Sequence, residues 1–385
     1  MTNGKIAIIG TGFVADLYMR SLETFPGISL VAAYDRRRER LDAFKAHWNA
    51  PTADSLDAIL SAEGDARPDI ILNLTNPSEH FAVSKQCLEA EFPVYSEKPL
   101  ATHMGDAKAL HALATEQGLA LASAPCSLLS QAGQAVVKAV REETMGTPRL
   151  VYAELDDDFI PQAPYKSWLS ESGAPWPYDD EFQVGCTLEH AGYYLTWLMG
   201  AFGPVERVIA ASADILPDKE VTGKAAPDFS VGTLFFRDGM IARLTCSIIA
   251  PHDHKLRIVG DKGILEVGEC WSNTAPVKMR PRIKIRRKLL NSPLAKTIKM
   301  PKETHPKVGR WGAAAMNFML GPAEMLDAIA AGRTPRLGGD FALHLNEVTL
   351  ALQDAGNDVG VQIMTTTCER PEPMPWALSA QGVAA

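Results

Sequence analysis

The chain has 385 residues, 46% of them apolar, and this length predicts two or three domains that each bury a core. Lys and Arg number 38 against 46 Asp and Glu, and the net charge of −8 disfavours a general nucleic-acid binder. No apolar run reaches the ~18 residues of a membrane span, and the short N-terminal apolar stretch does not resemble a secretory signal. We therefore expect a cytoplasmic protein with no membrane partner.

The first 125 residues alternate between short apolar runs and segments of helical periodicity. The apolar runs predict strands at 5–10, 30–34, 69–75, 93–96 and 119–123. The periodic segments predict helices at 13–24, 37–48, 78–89 and 107–117. Continuous apolar strands that alternate with helices are typical of a parallel sheet covered on both faces. We predict an α/β Rossmann dinucleotide-binding domain at 1–125.

A glycine motif joins the first predicted strand to the first predicted helix. It reads Gly10-Thr11-Gly12-Phe13-Val14-Ala15, which fits G-x-G-x-x-A. The first glycine permits a tight turn, the second lets the backbone approach a pyrophosphate, and the alanine allows close helix packing. The anion then lies at the helix N-terminus, where free N–H groups favour it. The motif predicts a cofactor site.

Asp35 at the end of the second strand indicates which cofactor binds. It lies 23 residues after Gly12, where a carboxylate takes the ribose hydroxyls and repels a 2′-phosphate. This favours NAD over NADP. Arg36, Arg37 and Arg38 follow directly, and one of them can stack on adenine or hold a phosphate, which leaves NADP possible. We include Arg36 in the predicted cofactor site.

The pattern changes in the second part of the chain. Strands are predicted at 149–154, 205–211, 229–237, 240–250, 256–259 and 263–267, several of them joined by hairpin signals. Helices are predicted at 187–199, 311–331 and 341–357. We predict a second domain at 126–385, a mainly antiparallel open sheet with helices on one face. Substrate binding and oligomerisation are assigned to it.

Two segments carry a family resemblance. The segment 69–101 contains, after strands, Thr75-Asn76-Pro77, His80 and Glu97-Lys98-Pro99. The segment 181–200, EFQVGCTLEHAGYYLTWLMG, resembles a helix that bears a catalytic histidine. The chain thus resembles the Gfo/Idh/MocA oxidoreductases, which act mostly on sugars, cyclitols and their derivatives. The resemblance implies that Lys98 hydrogen-bonds a substrate hydroxyl and that these residues line the cofactor: Thr75, Asn76, Pro77, His80 and Glu97.

The second segment departs from the family pattern D-x-G-x-H-x-x-D. Alignment places His190 on the family histidine, Cys186 on the first Asp and Tyr193 on the second. A thiol does not replace a carboxylate that orients a hydroxyl. Tyr193 or Tyr194 can supply the missing contact, since a phenol can donate a proton. Glu189 ranks lower because it points about 100° away from His190 on a helix.

Two further features lie near these residues. Cys186 and His190 are four apart, and His252-Asp253-His254 is an H-x-H motif, but neither shows a convincing third ligand. We therefore predict no metal site. The segment 165–178 is rich in aromatics and proline, and we predict a loop over the pocket. Trp168 and Trp176 can stack there on a sugar ring, and Cys186 is counted with the substrate residues.

The leading functional hypothesis is an NAD(P)-dependent dehydrogenase that oxidises a hydroxyl of a sugar, cyclitol or related polyol. Lys98 and His190 would assist proton transfer. The alternative from the same resemblance is an NAD-retaining glycoside hydrolase or lyase that oxidises transiently and eliminates the aglycone. A cofactor-binding sensor is the non-enzymatic alternative, against which Glu97-Lys98-Pro99 and His190 argue.

A basic segment stands out from the acidic chain. Between 278 and 302 there are ten Lys or Arg residues and no acid. Its alternation favours an edge strand protected from unwanted pairing. A contact with a neighbouring subunit, an arm toward an anionic substrate group and nucleic acid are the other interpretations, the last disfavoured by the resemblance. We expect a homodimer or homotetramer formed through the C-terminal sheet.

Overall fold

A computed structural model describes residues 2–217 and 219–378. Its first sheet has five parallel strands in the order β2-β1-β3-β4-β5. The strands are β1 (Gly4–Ile9), β2 (Ile28–Tyr34), β3 (Ile70–Asn73), β4 (Val94–Ser96) and β5 (Leu121–Ser123). β3 and β4 are buried throughout, as the continuous apolar runs predict. Because β1 and β3 are adjacent and parallel, the segments that follow them leave the sheet at the same edge.

Helices cover both faces of this sheet. They are α1 (Phe13–Leu22), α2 (Arg38–Trp48), α3 (Leu56–Leu60), α4 (His80–Glu89) and α5 (Met104–Glu116). One face packs on α4 and α5 through Leu88 and Leu110. The other packs on α1 and α2 through Tyr18 and Phe44. The predicted Rossmann domain is present.

The second sheet has ten strands and is antiparallel except for one pair. The order is β13-β12-β11-β10-β6-β9-β8-β7-β15, with β14 beside β12. The parallel pair is β6 with β9. The strands are β6 (Pro148–Asp156), β7 (Val205–Ala213), β8 (Phe229–Phe236), β9 (Ile241–Ser247), β10 (Leu256–Gly260), β11 (Gly263–Val267), β12 (Lys278–Ile285), β13 (Lys288–Asn291), β14 (Lys296–Thr297) and β15 (Gln362–Ile363).

Helices pack on one face of the second sheet. The helices of this part of the chain are α6 (Gln131–Arg141), α7 (Tyr178–Val184), α8 (Cys186–His190), α9 (Gly192–Phe202), α10 (Leu320–Ala330), α11 (Asp340–Gln353) and α12 (Pro375–Leu378). α8 contacts β8 and β9, and α11 contacts β7 and β8. Every residue of α9 is buried. The predicted fold class, a Rossmann domain followed by a mainly antiparallel sheet with helices on one face, is confirmed.

Two predicted elements differ from the structure. The helix predicted from residue 311 begins only at Leu320, after a 3₁₀ turn at Gly312–Ala315. Gly312 has φ +64°, which a continuing helix does not allow. The strand predicted to residue 250 ends at Ser247. α10 also packs on the first sheet, where Leu326 lies over Gly4. A helix from the second predicted domain thus contacts the first, and the domain boundary at residue 125 stays a prediction.

The basic segment forms a hairpin at one edge of the second sheet. β12 pairs with β13 from Arg282–Asn291 to Ile285–Lys288. All four residues of β13 are exposed. Among the described residues, no helix combines the length and the apolar character needed to cross a bilayer.

Candidate active site

A cleft of about 750 Å³ lies between the ends of the first-sheet strands and α8 of the second domain. Its floor comes from the loops after β1, β3 and β4. Because the carboxyl ends of parallel strands meet at one edge, residues far apart in sequence gather there. The lining includes Gly12, Phe13, Val14, Thr75, Asn76, Pro77, His80, Glu97, Lys98, Asp157, Trp168, Trp176, Glu181, Glu189, His190, Tyr193 and Trp271.

The two glycines of the turn differ in their surroundings. Gly10 has φ +94°, and a Cβ there would lie 2.6 Å from the Leu74 carbonyl oxygen. At Gly12 a Cβ would meet no atom within 4 Å, and this residue opens directly into the cleft. Phe13, the first residue of α1, follows. The open space at the helix N-terminus fits the pyrophosphate of NAD.

The Asp35 carboxylate closes this turn. Its Oδ2 accepts hydrogen bonds from the Thr11 backbone N–H at 2.9 Å and from the Thr11 hydroxyl at 3.1 Å. Its Oδ1 accepts from the Arg37 backbone N–H at 2.8 Å. Arg36 instead pairs with Glu79 at 3.0 Å, whereas Arg37 lines the cleft. Arg37 is thus better placed than the predicted Arg36 to reach a cofactor.

The loop after β3 supplies Thr75, Asn76 and Pro77 to the cleft. The Thr75 hydroxyl donates to Asn73 Oδ1 at 2.6 Å. His80 begins α4 and is fully buried, with its ring nitrogens 2.7 Å from the Pro99 carbonyl oxygen and 2.9 Å from that of Thr75. Burial lowers its pKa. His80 therefore joins the loops after β3 and β4.

Lys98 follows β4 and reaches across the cleft to α8. Its Nζ donates a hydrogen bond to Glu189 Oε2. Burial alone would lower the pKa of the Lys98 ammonium, but the carboxylates of Glu189 and Glu181 raise it well above its usual value. Beside it, Glu97 accepts a hydrogen bond from the Tyr18 hydroxyl at 2.6 Å. Lys98 is thus held as a cation.

Two carboxyl groups on α7 and α8 surround this cation. Glu189 is 3% exposed and pairs with Lys98. Burial and the neighbouring Glu189 carboxylate raise the pKa of Glu181 well above its usual range. The low rank given to Glu189 was wrong about its position. The directions of Glu189 and His190 do differ by about 100° around the helix axis. Tyr193, about one turn later, points in a direction between them, and all three side chains line the cleft.

His190 lies at the end of α8, with its side chain 14% exposed. Burial and the Lys98 cation lower its pKa to about 3, which keeps the imidazole neutral. Its Nε2 lies 3.8 Å from Asp157 Oδ2. Asp157 comes directly after β6. The cleft thus holds a neutral base next to a cation that is already paired.

Of the remaining predicted site residues, one lines the cleft and two do not. Tyr193 lines the cleft, and burial raises its pKa. Tyr194 is fully buried, and its hydroxyl donates to the His254 carbonyl oxygen, away from the cleft. Cys186 is 2% exposed, and its Sγ lies 3.9 Å from the Cys246 carbonyl oxygen. Both belong to the packing of α8 and α9 on the sheet rather than to the cleft lining.

The predicted aromatic loop does lie over the cleft. Trp168 and Trp176 line it, with ring centroids 5.2 Å apart. Trp271, which the sequence analysis missed, lies 5.9 Å from the His190 ring and 6.0 Å from that of Tyr193. Glu181 and Asp157 were also missed, because neither falls within a motif. Glu181 lies on α7, which Gly185 separates from α8, so no helical spacing links it to His190.

The fold and the cleft define a class of protein, an NAD-binding oxidoreductase with a separate domain over the cleft. A model of an oxidoreductase family with an NAD-binding Rossmann fold matches residues 4–124. A model of the GFO/IDH/MocA C-terminal domain matches residues 134–266. The chain belongs to the GFO/IDH/MocA family, whose members are NAD(P)-dependent oxidoreductases that act on hydroxyl groups.

Three individual relatives are similar to this chain at 16–25% sequence identity. The chain is 24% identical over 276 residues to trans-1,2-dihydrobenzene-1,2-diol dehydrogenase of Mus musculus, covering 69% of this chain and 75% of the relative. It is 25% identical over 261 residues to UDP-N-acetylglucosamine 3-dehydrogenase of Acidithiobacillus ferrooxidans, covering 67% and 72%. An Agrobacterium radiobacter oxidoreductase, solved with NAD+, L-tartaric acid and magnesium, superposes with a TM-score of 0.74 at 16% identity, covering 94% and 98%.

Proposed function

We propose that the protein is an NAD-dependent dehydrogenase that oxidises a hydroxyl of a sugar, a cyclitol or a related polyol. The observation that carries this proposal is the meeting of Lys98, Glu189 and His190 in the cleft that opens from Gly12. When bound, the nicotinamide accepts the hydride that leaves the carbinol carbon. The chain itself supplies orientation and proton transfer.

Lys98 holds the substrate oxygen. Its ammonium keeps further N–H donors beside the one given to Glu189, since an ammonium has three. A hydrogen bond from this cation stabilises the negative charge that grows on the oxygen as hydride leaves. Glu189 keeps the ammonium protonated and fixes its direction.

His190 accepts the hydroxyl proton. The imidazole is neutral, so one ring nitrogen offers a lone pair to the substrate, and its Nδ1 has no hydrogen-bond partner among the described residues. Asp157, 3.8 Å from Nε2, stabilises the imidazolium that forms. We assign Lys98 as donor and His190 as proton acceptor.

The cleft wall supports a polyol substrate. Trp168 and Trp176 present apolar faces that suit the C–H surfaces of a ring, while Glu181 and Glu189 offer polar contacts for hydroxyls. Two relatives bear the names of a dihydrodiol dehydrogenase and a UDP-N-acetylglucosamine dehydrogenase, whose substrates carry adjacent oxygen functions. These names support the class of polyhydroxylated substrate.

A substrate panel tests this function. Purified protein is incubated with NAD and, separately, NADP, over sugars, cyclitols and sugar nucleotides, and nicotinamide absorbance is followed. We expect NADH formation with at least one polyol and a preference for NAD. Release of an aglycone from aryl glycosides without net NADH would instead support transient oxidation and elimination. No absorbance change and no aglycone release across the panel would overturn the proposal.

A further inference from the structure

A cluster of acidic and imidazole side chains adjoins the cleft through Asp157, outside the Lys98 site. The sheet register creates it. β10 pairs with β6, and the Asp253–Asp156 bridge continues that pairing, so His252 lies across from Asp157. β10 also pairs with β11, and the same register carried two residues beyond Leu256–Val267 places His254 across from Glu269. His252 and His254 are two apart and share one face.

Glu269 determines which nitrogen of each ring carries the proton. Its Oε1 lies 2.8 Å from His254 Nδ1, and its Oε2 lies 3.0 Å from His252 Nε2. An ionised carboxylate only accepts hydrogen bonds, so both of these nitrogens are donors. In neutral rings the opposite nitrogens, His254 Nε2 and His252 Nδ1, are then lone-pair acceptors.

Both lone pairs converge on Asp157. Its Oδ1 lies 3.8 Å from His252 Nδ1 and 4.0 Å from His254 Nε2, which is too long for hydrogen bonds. His254 is 1% exposed, and its Nε2 has no hydrogen-bond partner among the described residues. Three acceptor atoms around one point, one of them buried and unpartnered, form a set that a cation between them would satisfy.

We propose that Asp157, His252 and His254 form a site for a divalent transition-metal ion, zinc in particular. Their ligand atoms lie within 4.8 Å of one another. Tetrahedral zinc holds N and O ligands about 3.4 Å apart, so each of the two imidazole–carboxylate distances would shorten by about 0.5 Å on binding. The pairing of each ligating histidine with Glu269 on its other nitrogen matches the carboxylate–histidine–zinc arrangement.

The site has the ligand number of a catalytic centre. Three protein ligands leave a fourth position for water or a substrate oxygen, whereas structural zinc is closed by four. Asp157 lines the cleft beside His190, so this fourth position is next to the proposed proton acceptor. Two imidazoles select zinc or a similar ion over magnesium, which prefers oxygen ligands. No metal site was predicted because the third ligand, Asp157, lies about 95 residues before the H-x-H motif and no sequence pattern connects the two.

Metal binding is measured directly, without substrate, so its outcome is independent of the proposed dehydrogenase activity. The full chain is treated with EDTA, desalted, equilibrated with ZnSO₄ and passed through gel filtration before zinc is counted by mass spectrometry. We expect one zinc per chain. Titration with CoCl₂ should give the visible absorption of tetrahedral cobalt, and MgCl₂ should not compete.

Substitutions of the proposed ligands and of Glu269 test where zinc binds. Asp157→Asn and His254→Gln should each weaken zinc binding on the order of 100-fold or more, and Glu269→Gln about 10–100-fold. His47→Gln, on α2 and outside the cluster, is the matched control and should bind as wild type. Asp157→Asn changes shape little, so it remains informative if His254→Gln fails to fold. Wild-type protein that retains no zinc, or an Asp157→Asn variant with unchanged affinity, overturns the proposal.

Discussion

At the residue scale, the protonation of Lys98 depends on the balance between burial and neighbouring charge. Burial favours the neutral amine, whereas Glu189 and Glu181 favour the ammonium and dominate. Glu189 bonds the ammonium directly, whereas burial and the nearby Glu189 charge raise the pKa of Glu181. The site therefore has one ion pair rather than a free base, and this sets the role of Lys98 as a donor.

Replacing Glu189 by Gln tests that balance. The variant removes the largest charge that supports the ammonium, so the pKa of Lys98 falls. We expect kcat/KM to fall on the order of 100-fold and the alkaline limb of its pH profile to move to lower pH. Glu181→Gln is the matched control and should cost much less, since burial and Glu189 favour the protonated form of Glu181, which the neutral amide resembles. Equal losses and unchanged profiles in both variants would contradict this assignment.

The two glycines of the cofactor turn have separable roles. Gly10→Ala places a Cβ 2.6 Å from the Leu74 carbonyl oxygen at φ +94°, so we expect destabilisation by at least about 1–3 kcal/mol in chemical unfolding. Gly12→Ala meets no neighbour, so stability should hold while NAD affinity, measured by fluorescence titration, falls about 10-fold or more. Normal NAD affinity in Gly12→Ala would place the pyrophosphate elsewhere.

The sequence predicts single residues well where a motif fixes the backbone. Gly12 and Lys98 each sit at the end of a predicted strand, so their meeting in one cleft follows from the parallel sheet. Glu181 and Asp157 could not be found this way. Their positions depend on how the second domain packs over the first, which no local pattern encodes.

At the element scale, α8 and α9 decide which residues reach the cleft. Helical spacing places Cys186, His190 and Tyr193 on one face, but the sheet covers the first turn of that face. Cys186 thus packs near Cys246 on β9, while His190 and Tyr193 lie beyond the sheet and face the cleft. Spacing gives the shared face of a helix, and the neighbouring element determines which part of that face is open.

α11 is connected to β7 by a buried histidine whose titration affects stability. His344 Nε2 accepts a hydrogen bond from the Val205 N–H at 3.0 Å, and its Nδ1 lies 2.9 Å from the Thr366 hydroxyl. Burial lowers the pKa of His344 to about 4. The unfolded chain takes up this proton near pH 6.5, so the free energy of unfolding decreases as pH falls from 6.5 toward 4.

We expect this histidine to remove about 2 kcal/mol of stability between pH 7 and pH 5. Urea unfolding of wild type and His344→Gln at both pH values measures it. The wild-type free energy of unfolding should fall by about 2 kcal/mol more than that of the variant. Parallel decreases in both proteins would show that His344 does not titrate in this way.

At the scale of the whole molecule, the loop between β6 and α7 connects the two domains across the cleft. Glu171 in this loop pairs with Arg20 of α1 at 2.7 Å, and the Ser172 N–H donates to Asp16 at 2.7 Å. The aromatic residues of the loop are thereby held over the cleft. The aromatic composition predicted a loop at the pocket, but its attachment to α1 depends on the packing of two domains.

The basic hairpin and the assembly stand apart from the site. β12 and β13 form an edge of the second sheet, with Leu289 63% and Leu290 44% exposed. The edge-strand interpretation of the basic segment agrees with this position. A homodimer or homotetramer through the C-terminal sheet remains a prediction.

The most direct measurement of the proposed chemistry is the rate of NADH formation by wild type and Lys98→Met on the best polyol of the panel. The variant keeps the length of the side chain and removes the cationic donor. We predict NADH formation by wild type and a loss on the order of 10²–10⁴-fold in Lys98→Met, with NAD affinity and melting temperature measured alongside. A Lys98→Met variant that forms NADH at the wild-type rate would contradict the central role given to Lys98.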